Sequence, residues 1–316
     1  MSPSILAMHI PDGLLSIPVS AVGWLLLIGL LGYALRQTKT QLGERQIPLM
    51  GILAAFVFAA QMINFPVAGG TSGHLLGSTL VAIFLGPWAM IVVMTCVIGV
   101  QALLFQDGGL LALGFNIVNM GIVSGLIGYA VYALLRRAQA SRLIGAGVGA
   151  WVGVVAASAA TALELGVSGT ASLALALPAM VGVHVLIGAG EALITVAALA
   201  FVTQTRPDLL ERSAPARGAR WVAVGLVIAL LVAFASPLAS PSPDGLERVA
   251  EDQGFIEQAQ DPTFTILPDY TVPLIESEAL TTIAAGVIGV LVVAAVSYGA
   301  ARLASKPQSP DPGQSV

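Results

Sequence analysis

Residues 176–203 read ALPAMVGVHVLIGAGEALITVAALAFVT, a run of 28 positions whose one formal charge is Glu191. A helix of about 20 apolar residues crosses the roughly 30 Å hydrocarbon core of a bilayer, so this stretch is long enough to span it. Comparable runs recur along the chain. Of its 316 residues, 57% are hydrophobic and 9% are charged, with a mean hydropathy of +0.91. Soluble domains carry about 25% charged residues. The short alternating segments of a membrane barrel are absent. The fold class that follows is an all-α polytopic membrane protein.

Nine apolar segments are expected, at 14–35, 48–64, 72–86, 88–104, 110–135, 143–165, 176–203, 220–237 and 279–303. The third has the length of a half-helix or a tilted element. Basic residues set the orientation, because they concentrate on the cytoplasmic side. With the N-terminus outside, Arg36, Lys39, Arg45, Arg136, Arg137, Arg142, Arg206, Arg212, Arg217, Arg220, Arg302 and Lys306 all fall inside, which is 12 of the 13 basic residues. Arg248 is the exception, and the C-terminus is cytoplasmic. This describes a multi-pass membrane protein.

The chain divides into a seven-span bundle at 8–203, a charged cytoplasmic linker at 204–219, and a two-span hairpin at 220–303. Residues 304–316 read as a disordered Pro- and Ser-rich tail. Between the hairpin spans, residues 238–278 hold nine acidic residues and one basic residue, a net charge of −8, on the outer side. Such a loop is solvated, and it can also concentrate divalent cations. The single cysteine, Cys96, lies in an apolar run and reads as a packing residue. No basic tract with interleaved aromatics indicates nucleic acid.

Three histidines are present: His9, His74 and His184. His9 precedes the first span, and His74 follows the glycine-rich turn Gly69-Gly70-Thr71-Ser72-Gly73, so both lie at the outer face. Two such histidines are commonly structural. A chain beginning at Met8 would offer more: a free amine, the amide nitrogen of His9 and its imidazole, which form fused chelate rings around one ion. The imidazole of His74 would complete a planar four-nitrogen site. Square-planar nitrogen ligation suits Ni(II) or Cu(II), whereas zinc prefers a tetrahedron. His184 and Glu191 lie seven apart on one helix face, and ionisable groups inside a membrane mark functional sites or polar networks. Glu164 reads as a solvated residue at an outer helix end.

The segment Met8-His9-Ile10-Pro11-Asp12-Gly13-Leu14-Leu15-Ser16 resembles the amino-terminal signature of the CbiM/NikM family, the substrate-binding membrane subunits of cobalt and nickel energy-coupling-factor transporters. The resemblance continues through Gly70 to Gly77, through Asp107-Gly108-Gly109-Leu110-Leu111-Ala112-Leu113-Gly114 with Asn116 and Asn119, and through His184 to Thr195. It implies that the amine of Met8, His9 and His74 bind the metal; Asn116, Asn119, His184 and Glu191 read as an intramembrane polar network. Seven residues precede Met8 here, and an extended chain would replace the amine with a peptide nitrogen. Residues 1–7 are therefore expected to be an over-extended or processed segment. Pro243-Asp244-Gly245-Leu246-Glu247 resembles the PDGLE domain, similar to the small CbiN/NikN-like accessory subunit.

The resemblance implies import of nickel or cobalt, the latter feeding cobalamin biosynthesis. It also implies partners: a transmembrane coupling subunit, docked on the Ala55/Ala59 face where small residues allow close packing, and ATP-binding-cassette ATPases. No phosphate-binding Gly-x-x-x-x-Gly-Lys-[Ser/Thr] motif occurs in this chain, so ATP hydrolysis would fall to those partners. No cofactor is expected beyond the transported ion, and no catalytic residue. A self-powered carrier would need acidic residues as a proton relay. An intramembrane metalloenzyme would need a ligand cluster with a general base, and no His-Glu-x-x-His pair exists. Orientation is testable directly. A cysteine at position 242 (Ser242→Cys) should react with an impermeant thiol reagent in intact cells, and labelling only after lysis would reverse the assignment.

Overall fold

The computed structural model describes residues 9–43, 46–210 and 220–305. Met8, most of the charged linker and the C-terminal tail lie outside the described residues. Among the described residues the fold is helical apart from one small hairpin. Helix α1 (Ile17–Gln41) leads to α2 (Gln46–Gln61), then the antiparallel pair β1 (Phe65–Val67) and β2 (Thr71–Gly73). The segment expected at 72–86 resolves into β2, a turn and the eight-residue helix α3 (Ser78–Leu85), the half-helix that its length allowed. Gly86, at φ 84°, breaks it from α4 (Pro87–Val100), and Pro87 starts α4 because its missing N–H is not needed in a first turn.

Helix α4 ends in a π-turn, Gln101–Phe105, and the next span contains another: α5 (Leu113–Asn116) passes through Ile117–Val123 into α6 (Ser124–Arg137). Such turns are rare and frequently occur at functional sites. Helices α7 (Arg142–Ser168) and α8 (Leu173–Thr205) complete the large bundle. The C-terminal module supplies α9 (Arg220–Phe234), the short α10 (Gly245–Gln253) and α11 (Glu278–Ala304). Among the described residues six helical segments are long and apolar enough to cross a membrane, and α2 and α9 are shorter apolar helices.

Glycines set the closest approaches. A Cβ on Gly149 would strike the carbonyl of Gly128, and one on Gly153 would come within 2.5 Å of the carbonyl of Ser124, so α6 and α7 meet backbone to backbone. The hairpin is not a separate body. Helices α9 and α11 pack on α2, where Gly225 faces Ile52 and Gly289 faces Phe58. Ala55 and Ala59 are fully buried in this chain. The pair expected to dock a coupling subunit therefore serves internal packing, because α4, α9 and α11 crowd around α2.

The loop before α11 lies across the end of the bundle that carries β1 and β2. Its Ser240 N–H donates to the Asn64 carbonyl at 2.8 Å, its Pro243 carbonyl accepts from the Ser72 N–H at 2.8 Å, and its Gln260 N–H donates to the Asp12 carbonyl at 2.8 Å. Helix α10 starts in a capping box formed by Asp244 and Glu247, whose side chain returns to the Asp244 N–H.

Glu191, on α8, does not bond to His184. Its carboxylate accepts the N–H of Leu76 at 2.6 Å and of Gly77 at 2.9 Å, just ahead of α3. The Gln61 side chain donates to the Leu76 carbonyl at 2.9 Å. Together they hold the turn that carries His74, where α3 leaves amide donors unsatisfied. Glu191→Gln would set its NH2 against one of those amides. The metal-free protein should then lose about 1–3 kcal/mol of stability, read as a lower thermal midpoint in detergent. An unchanged midpoint would show that the turn is held by other contacts.

Candidate metal centre

The two imidazoles of the centre are carried on irregular backbone held by side chains, and much of the remaining lining stands on helices. The segment after His9 is extended, and Asn116 brackets it: Asn116 Oδ1 accepts the Ile10 N–H at 2.9 Å, and its Nδ2 donates to the Ile10 carbonyl at 3.0 Å. Asp12 then accepts the N–H groups of Leu110, Leu111 and Ala112 at 3.0, 2.8 and 3.1 Å. These bonds tie the amino-terminal signature to the loop Gln106–Ala112 that precedes α5. The two glycines of that loop are required by proximity. A Cβ on Gly108 would lie 2.7 Å from the His9 Cβ, and one on Gly109 would overlap Asp12.

His9 is thereby sunk into the bundle, 2% exposed, with Nδ1 at 2.5 Å from Asp107 Oδ1. Its Nε2 is buried with no hydrogen-bond partner among the described residues. His74 enters from the β2 turn. Its Nδ1 donates to the Leu75 carbonyl at 3.1 Å, which leaves Nε2 as the nitrogen with a free lone pair. The rings of His9 and His74 stand 6.1 Å apart, centre to centre, and are inclined by 44°. Burial, and secondarily the nearby His9, lower the His74 pKa below 6.5, so the imidazole is neutral and able to ligate at pH 7. Burial pushes the Asp107 carboxyl up, but the adjoining His9 and the hydrogen bonds from His9 and Tyr270 outweigh it and hold its pKa below the ordinary value.

Both imidazoles border a cavity of about 70 Å³. Its floor carries Asn116, Asn119, Ser158 and Thr161, and its roof is Asp244, Gly245 and Leu246 of the C-terminal module. His184 also borders it. The His184 Nδ1 donates to the Met180 carbonyl at 2.7 Å, and its opposite edge lies under Gly245. Asn119 Nδ2 donates to Glu164 Oε2 at 2.8 Å and to Thr161 Oγ1 at 3.2 Å, while Asn119 Oδ1 is buried without a partner among the described residues. Glu164, expected to be solvated, is only 9% exposed, because α7 turns it inward onto Asn119.

Of the residues picked out from sequence, His9, His74, Asn116, Asn119 and His184 gather around one cavity. Glu191 stands behind the His74 turn, and Met8 lies outside the described residues. Among the described residues no group of three or more His, Cys, Asp or Glu side chains is arranged to hold a metal ion. Asp12, Asp107, Asp244 and Tyr270 were not anticipated in the site. Asp107 could have been found as the acidic member of its glycine motif; nothing local marks Tyr270.

Residues 9–209 match the family model described as the cobalt uptake substrate-specific transmembrane region, and residues 219–306 match the PDGLE domain. The putative fused nickel transport protein NikMN of Archaeoglobus fulgidus is 37% identical over 302 residues, covering 94% of this chain and 99% of its own length. The fused nickel transport protein NikMN of Rhodobacter capsulatus is 35% identical, covering 71% of each chain. The cobalt transport protein CbiM of Sorangium cellulosum is 34% identical, covering 65% of this chain and 95% of its own. A crystal structure of a truncated transition metal transporter superposes with a TM-score of 0.58 at 36% identity, covering 62% of this chain and 98% of that one. These relatives are named as transport proteins and none as an enzyme. This chain belongs to the cobalt uptake substrate-specific transmembrane family, carried in one polypeptide with a PDGLE domain.

Proposed function

We propose that the chain captures Ni²⁺ or Co²⁺ at the outer membrane face, as the substrate-binding component of an ATP-driven energy-coupling-factor importer. The observation that carries this reading is the pair of buried imidazoles, 6.1 Å apart, bordering a small polar cavity at one end of an otherwise apolar bundle. Neutral imidazoles are ligands for late first-row divalent ions. Two of them make an incomplete set, and Met8, next to His9 in sequence, would supply the rest. Its amine, the amide and imidazole of His9, and the imidazole of His74 would surround the ion. Coupling-subunit and ATPase partners would supply the energy.

The chelate makes a demand on the geometry. The His9 amide nitrogen and imidazole close a six-membered ring around one ion only through Nδ1. Nε2 lies on the far side of the ring and cannot reach an ion bound to the amide of its own residue. In the metal-free chain Nδ1 is held by Asp107. Loading therefore turns the imidazole off Asp107 as the amine and amide nitrogens close on the ion.

The self-powered alternative loses support. Its best-placed acidic residue, Glu191, is committed to the amides of Leu76 and Gly77. His9→Ala and His74→Ala should each weaken Ni²⁺ binding by more than about 100-fold, beyond the 10- to 100-fold typical of an outer-shell loss. His184→Ala should cost about 10-fold or less, since its role is confined to the cavity wall. One residue added before Met8 should be nearly as damaging as losing His9. Titration of Ni²⁺ into chains of mass-verified first residue checks this, and equal affinity for chains beginning at Met1 and Met8 would sink the amino-terminal chelate.

A further inference from the structure

Asp107 has two oxygens, and the second is taken by the other module. Tyr270, in the loop before α11, donates its hydroxyl to Asp107 Oδ2 at 2.5 Å, while Asp107 Oδ1 lies on His9 Nδ1 at the same distance. The three side chains form one line that runs from the half-buried Tyr270 of the C-terminal module to the buried Asp107 and His9 of the metal centre. Burial and the neighbouring Asp107 carboxylate push the phenol well above its ordinary pKa, so it stays a donor.

Two further features aim Tyr270 at this point. Its ring stacks on Phe105 at 4.7 Å with an interplanar angle of 16°, and Phe105 in turn contacts Phe58 at 5.4 Å. The backbone at Asp269 and Tyr270 takes the left-handed region, at φ 48° and 56°. Residues other than glycine enter it at a cost, and consecutive examples need surrounding structure to hold them. Here the Leu267 N–H donates to the Leu104 carbonyl at 3.0 Å and the Ile266 N–H to Gln106 Oε1 at 3.1 Å, which clamp the approach to the turn.

We propose that Tyr270 is a positioning residue of the metal centre, which holds Asp107 on His9 Nδ1, the nitrogen that the arriving ion must take. The inference rests on the reading of His9 as a ligand. Through this contact the C-terminal module sets how readily the centre loads without supplying a ligand of its own. The unpartnered His9 Nε2 fits a resting orientation that is exchanged on loading.

Tyr270→Phe removes the hydroxyl and keeps the ring on Phe105. The test uses the full chain, begun at Met8 and labelled with ¹⁵N-histidine, whose three histidines can be assigned from single replacements. Without metal, the wild-type His9 should carry its proton on Nδ1. In Tyr270→Phe that signature should weaken while those of His74 and His184 stay in place. Ni²⁺ association, followed by stopped-flow absorbance, should become about 3- to 10-fold faster, the scale of one hydrogen bond. A wild-type His9 protonated on Nε2 would overturn the proposal. So would a Tyr270→Phe chain that loads no faster than wild type. If His9→Ala instead binds Ni²⁺ as wild type does, the ligand reading fails, and the nitrogen spectra still report separately whether Tyr270 and Asp107 hold His9.

Discussion

Backbone that is neither helix nor sheet has to be satisfied group by group when it is shut away from water, and the histidine-bearing end of this protein is organised around that requirement. Asp12 answers three amides, Asn116 answers both polar groups of Ile10, and Glu191 answers two amides ahead of α3. An unpaired buried amide costs about 1–3 kcal/mol, so these three side chains determine where the irregular segments lie. The two histidines lie where those segments converge. His9 follows from the grip on Ile10 and Asp12, and His74 follows from the grip on Leu76 and Gly77.

The same requirement explains why the two modules behave as one body. The loop of the C-terminal module cannot lie over the bundle with its own backbone unpaired. It finds partners in Asn64, Ser72, Asp12 and Leu104, which belong to the segments that build the centre. Helices α9 and α11 add packing against α2 through close contacts at Gly225 and Gly289. The roof of the cavity and the second hydrogen bond on Asp107 are thus both contributed by the C-terminal module, the latter by Tyr270, 163 positions from Asp107.

Charge on the roof is moderated by its burial. The Glu247 carboxyl, in the capping box of α10, is pushed up to about 8 by burial and by Asp244 beside it, and Asp269 is pushed up to about 6 by burial and by Asp107. At pH 7 the Glu247 carboxyl beside the roof is therefore largely protonated, whereas Asp269 keeps most of its charge.

From sequence alone came the membrane architecture, the division into two modules, and the two imidazoles. Hydropathy decides spans because a bilayer excludes charge over a fixed thickness, and motifs around His9 and His74 are local strings. What lies across the chain was not legible. Glu164 reads as solvated until α7 turns it toward Asn119, and the Ala55/Ala59 pair reads as a free face until α2 is surrounded. Glu191 and His184 share a helix face in sequence but take different partners in space. The bond from Tyr270 to Asp107 joins modules with no pattern in common. Spacing along one helix reports which side chains point the same way, and only the packing of several helices reports what they meet.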